Sequence, residues 1–239
     1  MKIIEAAAVV VSFFALGFAS AASAEAPGPW EVVAKNDRVV VKARSHPGSE
    51  VKEVVAQGKV AVAAWILKNV VDDIDGYPAL IPFTTVARVV HSDDQGGRYA
   101  FQRLEMPFLQ KREYVTRVFD ESTVTPEGRN IYKMSWTSAS ARFAPMIDKE
   151  AIRLDVNDGS WTFEEQADGS TFATFRLFVD PSGSLPTALV NFCQQVTLGQ
   201  YLGNLETLSQ QPRYRTKRQV ITATTTLVAA QSAALVIRD

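Results

Sequence analysis

Three runs decide how this chain folds: TTVARVVH (Thr84–His91), RYAFQRLE (Arg98–Glu105) and REYVTRVF (Arg112–Phe119). Each alternates apolar or β-branched residues with polar ones, the period of a strand with two unlike faces. Asp93-Asp94-Gln95-Gly96-Gly97 separates the first two and has the composition of a hairpin turn. The same rhythm continues through NIYKMSWTSAS from Asn130, AIRLDVN and SWTFEE from Ala151, and STFATFRLFV from Ser170. Pro126-Glu127-Gly128 and Asp168-Gly169 punctuate these runs. Six or more consecutive antiparallel strands form a meander that must curl or be covered.

The cover lies next along the chain. Ser182 to Gln210 reads as one long helix, with Leu185, Leu189, Phe192 and Val196 at helical spacing. That line then meets Gly199 and Gly203, each costing about 1 kcal/mol relative to Ala inside a helix. Either these glycines leave a space open, or they admit a large residue such as Trp65 or Trp136. Bulk moves round the helix instead, to Leu198, Tyr201, Leu202, Leu205 and Leu208. Upstream of the meander, WEVVAKNDRVVVKARS and EVKEVVAQGKV supply three strands, with Asn36-Asp37 as a turn. A helix carrying Val62, Trp65, Ile66, Asn69 and Val70 follows, and DIDGYPALIPF ends it. The order is α+β.

Both ends differ from this body. Lys2, an apolar stretch from Ala6 to about Ala19 and then Ala22-Ser23-Ala24 have the make-up of a signal peptide, so residues 1–24 are expected to be cleaved on export. No lipid-attachment cysteine follows, and for a bacterial chain the compartment is the periplasm. Residues 27–212 form the expected domain, and 213–239 a Thr- and Ala-rich tail read as a loose extra helix.

With 239 residues, 46% hydrophobic and 21% charged, the chain has an ordinary globular composition. A net charge of −1 gives no broad attraction to nucleic acid, and YRTKR is the lone basic cluster. Cys193 stands alone, so no intrachain disulfide or cysteine metal site can form. His46 and His91 lack a second ligand at metal spacing. No Gly-x-Ser-x-Gly elbow or phosphate-binding glycine loop is present, and PSGSLP reads as a helix start capped by Ser184.

Three segments resemble one family. EVVAQGKVAVAAWILKNVVDDIDGYPALIP is similar to the opening helix of the START superfamily, the steroidogenic acute regulatory protein-related lipid-transfer domains. MPFLQKREYVTRVF resembles its loop-then-strand segment, through Arg112, Glu113 and Tyr114. DPSGSLPTALVNF is similar to the segment entering its C-terminal helix, through Asp180, Gly183, Leu185, Pro186, Val190 and Asn191. The resemblance spans Trp30 to Gln210. It implies a helix-grip fold, a curved antiparallel β-sheet wrapped around a long C-terminal helix, with an internal lipid cavity.

It further implies non-enzymatic binding and transfer of one lipid (a sterol, hopanoid or phospholipid), with no cofactor, metal or catalytic residue. Two alternatives stand beside it: an aromatase/cyclase-like enzyme of the same superfamily, and a lipid-sensing interaction protein. Strand parity and the resemblance turn Arg112, Tyr114, Thr116 and Val118 inward and leave Glu113 and Arg117 to solvent. Tyr132, Met134 and Trp136 form the apolar phase of the next strand, as cavity wall or as core. Gln102 or Arg103 supplies polarity, depending on register. Phe192, Val196 and Gly199 border the ligand from the helix. Val118 is apolar where the family often places a charge, which favours one small polar group over a zwitterionic headgroup. Burying roughly 400 Å² of ligand would be worth about 10 kcal/mol before binding costs. Phe108 and Leu109 on one loop, with Phe143, Pro145, Met146 and Ile147 on another, are the expected gate. Expected partners are the lipid, a membrane in transient contact and other envelope transport proteins.

Overall fold

The computed structural model describes residues 26–182 and 200–216. Strands β1 (Glu31–Lys35), β2 (Val39–His46) and β3 (Ser49–Val60) make two hairpins. Helices α1 (Ala64–Asp72) and α2 (Tyr77–Leu80) follow, linked by a single 3₁₀ turn. The meander comprises β4 (Thr84–Ser92), β5 (Arg98–Leu104), β6 (Arg112–Asp120), the short β7 (Thr123–Val124) and β8 (Asn130–Ser138). It continues through a two-residue β9 (Ile152–Arg153), β10 (Val156–Glu165) and β11 (Thr171–Asp180). Residues 200–208 are helical and are called α3.

One sheet joins them in the order β1-β2-β3-β11-β10-β8-β6-β5-β4. The pairing along this path is antiparallel throughout. Its last strand therefore returns beside β3, and the helical connection carries the chain from one half of the sheet to the far edge. The expected single run from Ala151 is divided. Ile152 and Arg153 pair in parallel with Arg112 and Glu113 of β6, and β10 begins only at Val156.

α1 buries Ile66, Leu67, Val70 and Val71, the i, i+1, i+4, i+5 stripe of an amphipathic helix, against β8 and β10. These side chains form one core with Tyr132, Met134 and Phe163 from the sheet and Leu202, Leu205 and Leu208 from α3. Two amides hold the helices together: Asn204 Nδ2 donates to the Leu80 carbonyl (3.0 Å) and Asn69 Nδ2 to the Tyr214 carbonyl (2.9 Å). Tyr214 is itself buried, and its hydroxyl donates to Asp73 (2.7 Å). The domain thus extends past the expected boundary at residue 212, because this ring is part of its packing.

Gly203 is exposed, and a Cβ added there would meet nothing within 4 Å. Close approach by Trp65 or Trp136 is therefore not its role. Residues 1–24, Leu185, Leu189, Phe192, Cys193, Val196 and Gly199 lie outside the described residues, as does the tail beyond residue 216.

Candidate functional site

The sheet and its helices do not meet everywhere. Between them is a cavity of about 480 Å³, within the range of a small-molecule site. Its wall follows strand parity. Gln102 and Leu104 come from β5, Arg112, Tyr114, Thr116 and Val118 from β6, and Trp136 from β8. Asn157 and Trp161 of β10 and Phe175, Leu177 and Val179 of β11 continue it, and Tyr201 of α3 closes one side. The mouth is ringed by Ile81, Pro82 and Phe83 and by Met106, Pro107 and Leu109. These two loops act as one tip, because the Glu105 amide donates to the Phe83 carbonyl (2.9 Å).

All four inward residues expected on β6 reach the cavity, as do Gln102 and Trp136. Met134 does not. It is 1% exposed in the solid core, its sulfur 4.0 Å from the Tyr77 hydroxyl. Tyr77 and α1 fill the deep end of the sheet, so the strand that carries Trp136 into the cavity carries Tyr132 and Met134 into packing. Register settles the choice between Gln102 and Arg103. Gln102 faces in, while Arg103 Nε meets Glu113 at 2.6 Å on the opposite face.

Glu113 overturns another expectation. Instead of facing solvent it is 1% exposed, because Arg103 and the Asp148 amide (2.7 Å) both bond its carboxylate. Arg117 is partly exposed as expected and pairs with Asp93 at 2.8 Å. Phe143 is not part of the cavity wall or its mouth. Its ring packs 5.0 Å from Tyr99 in a separate cluster with Phe101 and Val115, on the outer face of the sheet. Met146 and Ile147 share that loop and are absent from the cavity wall. Leu109 lines the mouth, whereas Phe108 points away from it, fully exposed at 106%, on a backbone with φ 64°.

Polar groups on the wall are few. Arg112 is 2% exposed; its Nη1 donates to the Gln110 carbonyl (2.6 Å) and its Nε to the Pro181 carbonyl (3.2 Å). It ties the mouth loop to the end of β11, and burial lowers its pKa. Deeper in, Trp136 Nε1 donates to Asn157 Oδ1 (3.0 Å), and the Tyr114 hydroxyl donates to Gln102 Oε1 (3.1 Å). Burial pushes the phenols of Tyr77, Tyr114 and Tyr201 well above their ordinary range. Among the described residues, no carboxylate, histidine, lysine or cysteine lines the cavity.

Sequence reasoning missed Asn157 and the β11 wall. Their signal was available: Asn157, Gly159, Trp161 and Phe163 are one phase of a period-two run, with a polar residue among the inward positions.

A curved antiparallel sheet gripping a helix over an apolar cavity defines the helix-grip architecture of START-type domains, and that is the fold of this chain. A STAR-related lipid transfer protein from Xanthomonas axonopodis superposes with a TM-score of 0.64 at 20% identity, over 76% of this chain and 99% of that one. Human StAR-related lipid transfer protein 5 gives 0.66 at 16% identity, over 76% and 86%. Human STARD10 gives 0.62 at 16%, over 77% and 74%. No protein-family model and no curated protein matches the sequence.

Proposed function

We propose that this protein binds one lipid-like amphiphile (a sterol, a hopanoid or a phospholipid) in its cavity and carries it, chemically unchanged, between membranes. The observation that carries the reading is the cavity itself, about 480 Å³ with an almost wholly apolar wall. An interior of that size is costly to leave empty, since its lining forgoes contacts that packed side chains would make. Hydrophobic enclosure supplies the affinity and the few polar groups set orientation. The lipid transfer proteins that share the fold support the same conclusion.

A binding role is favoured over catalysis by the wall's chemistry. General acid–base work needs a positioned group that titrates near the working pH. The cavity offers tyrosines held protonated by burial and an arginine committed to two carbonyls. Delivery calls for contact with a bilayer, and the mouth is suited to it. Phe83 and Phe108 are exposed on the two joined loops, beside Met106, Pro107 and Leu109. The amino-terminal segment supports export to the periplasm, where other envelope proteins would supply or accept the lipid.

Native mass spectrometry of the protein from its own host, with lipid extraction, is the test. One lipid per chain is expected, and its transfer from donor to acceptor vesicles should be accelerated. Phe108→Asp should slow transfer while leaving the bound lipid in place. A protein that emerges without lipid and moves none between vesicles refutes the reading.

A further inference from the structure

The polar groups of the cavity form a chain with a direction. Trp136 contributes an indole N–H, which can only donate, so the side of Asn157 that faces it must be the carbonyl oxygen (3.0 Å). The Asn157 NH₂ is then the group left to face Tyr114, and a side-chain hydrogen bond from Asn157 works against the rise that burial gives the Tyr114 phenol. The Tyr114 proton needs an acceptor of its own, and Gln102 Oε1 stands 3.1 Å away. Were the Gln102 amide reversed, its NH₂ could only donate to the phenol oxygen, and the buried Tyr114 proton would be left without an acceptor. Gln102 is thereby held with its oxygen engaged and its NH₂ free. The residue is 5% exposed, lies on the cavity wall, and its NH₂ has no partner among the described residues.

We propose that Gln102 is the specificity-determining donor of this site and selects ligands that present a hydrogen-bond acceptor, a ketone, ester or hydroxyl oxygen, at the end of an apolar body. The assignment rests on the lipid-binding reading and narrows its ligand class. Thr116 and Tyr201 also stand on the wall, but hydroxyls rotate to donate or accept and impose no polarity. Arg112 adds no contrary preference, since it too is a donor. A ligand ending in an ammonium group would set donor against donor and is disfavoured. A pure hydrocarbon would bury the Gln102 NH₂ with nothing to bond.

The test uses three probes of one shape, cholestan-3-one, cholestan-3-ol and cholestane, in equilibrium binding to the full chain. The ketone and the alcohol should bind about tenfold more tightly than the hydrocarbon, the worth of one buried donor satisfied instead of stranded. Gln102→Met should abolish that ratio, whereas general damage to the cavity would weaken all three probes together. Tyr114→Phe releases the amide to turn and should reduce the ratio without abolishing it. Equal binding of ketone and hydrocarbon by the native protein, or a ratio unchanged in Gln102→Met, overturns the assignment. If the protein retains a host lipid yet discriminates among none of the probes, the Gln102 assignment alone falls. If it retains no lipid and binds no probe, the lipid-binding reading falls with it.

Discussion

Substituting Gly159 by Ala tests how the cavity wall is built. Gly159 sits in the inward phase of β10, directly opposite Trp136 on β8 and Leu177 on β11. The Trp136 indole lies across it. A Cβ placed there would stand 2.8 Å from Trp136 Cε2, closer still to Cζ2, and 2.5 Å from the Arg176 carbonyl oxygen. Ordinary contact begins at 3.4 Å, so the ring must retreat by at least 3.4 − 2.8 = 0.6 Å at Cε2. Cε2 is bonded to Nε1, so a shift of that size disturbs the 3.0 Å bond to Asn157. The Arg176 carbonyl belongs to a paired strand and cannot withdraw as a side-chain tip can. Overpacking of this kind costs about 1–3 kcal/mol, and two simultaneous clashes place the change near the upper end, about 2–3 kcal/mol. For a domain of this size that lowers Tm by roughly 4–12 °C. Thermal unfolding followed by circular dichroism reads the stability, and near-ultraviolet dichroism reads the indole environment. Trp136→Phe in the Gly159→Ala background should recover part of the loss, because only the ring clash is relieved. Unchanged Tm and an unchanged aromatic spectrum in Gly159→Ala would refute the reasoning.

Phe143→Ala should destabilise the fold by about 2–3 kcal/mol, below the range for a fully buried Phe, and leave affinity for a cavity ligand unchanged; denaturant unfolding and ligand titration together decide it. Lys68 is buried and pairs with both Asp72 and Asp120 at 2.6 Å. Lys68→Ala should therefore cost about 2 kcal/mol, since it removes a buried cation shared by two aspartates although Asp72 keeps Arg98 at 3.0 Å, and Lys68→Met less, measured by urea unfolding. Burial alone would raise the Asp120 pKa, but Lys68 and Ser122 outweigh it and lower the value. Its stabilising contribution is therefore complete above the ordinary aspartate range and lost as pH falls through the depressed folded value, so the gap between native and Lys68→Met should close in acid. A bond from Arg117 pulls Asp93 from 3.8 to about 2. Arg117→Gln should return it toward 3.8 in a carboxyl NMR titration, and acid unfolding should then lose the component that the native protein shows between those values.

Strand parity made much of the site legible, and its failures have identifiable causes. On REYVTRVF alternation grouped the residues by face and the family resemblance chose which face is inward; β6 is an interior strand, so a shift of one residue would have exchanged the two faces entirely. The outward face was misread at Glu113. Alternation reports which side a residue is on, but not whether something covers that side. The covering segment, with Asp148 bonded to Glu113 and Phe143 packed on Tyr99, lies about 35 to 44 residues away in the chain and has no period of its own. For the same reason Phe143 read as an apolar tip. Its neighbours Pro145 and Met146 look like a gate, and only the tertiary arrangement shows that it closes a second small core.

Cavity and core were inseparable for Tyr132, Met134 and Trp136, since an inward apolar residue has the same signature in both. What divides them is how far α1 and Tyr77 reach along the concave face, and no single strand encodes that. Gly159 is the exception that a closer reading would have caught. An inward glycine amid Asn157, Trp161 and Phe163 removes a side chain where a buried strand most needs one, and such a position marks close approach by another group. Here the group is an indole whose one donor begins the chain ending at Gln102. The missing side chain on one strand therefore sets the polarity that the cavity presents on another.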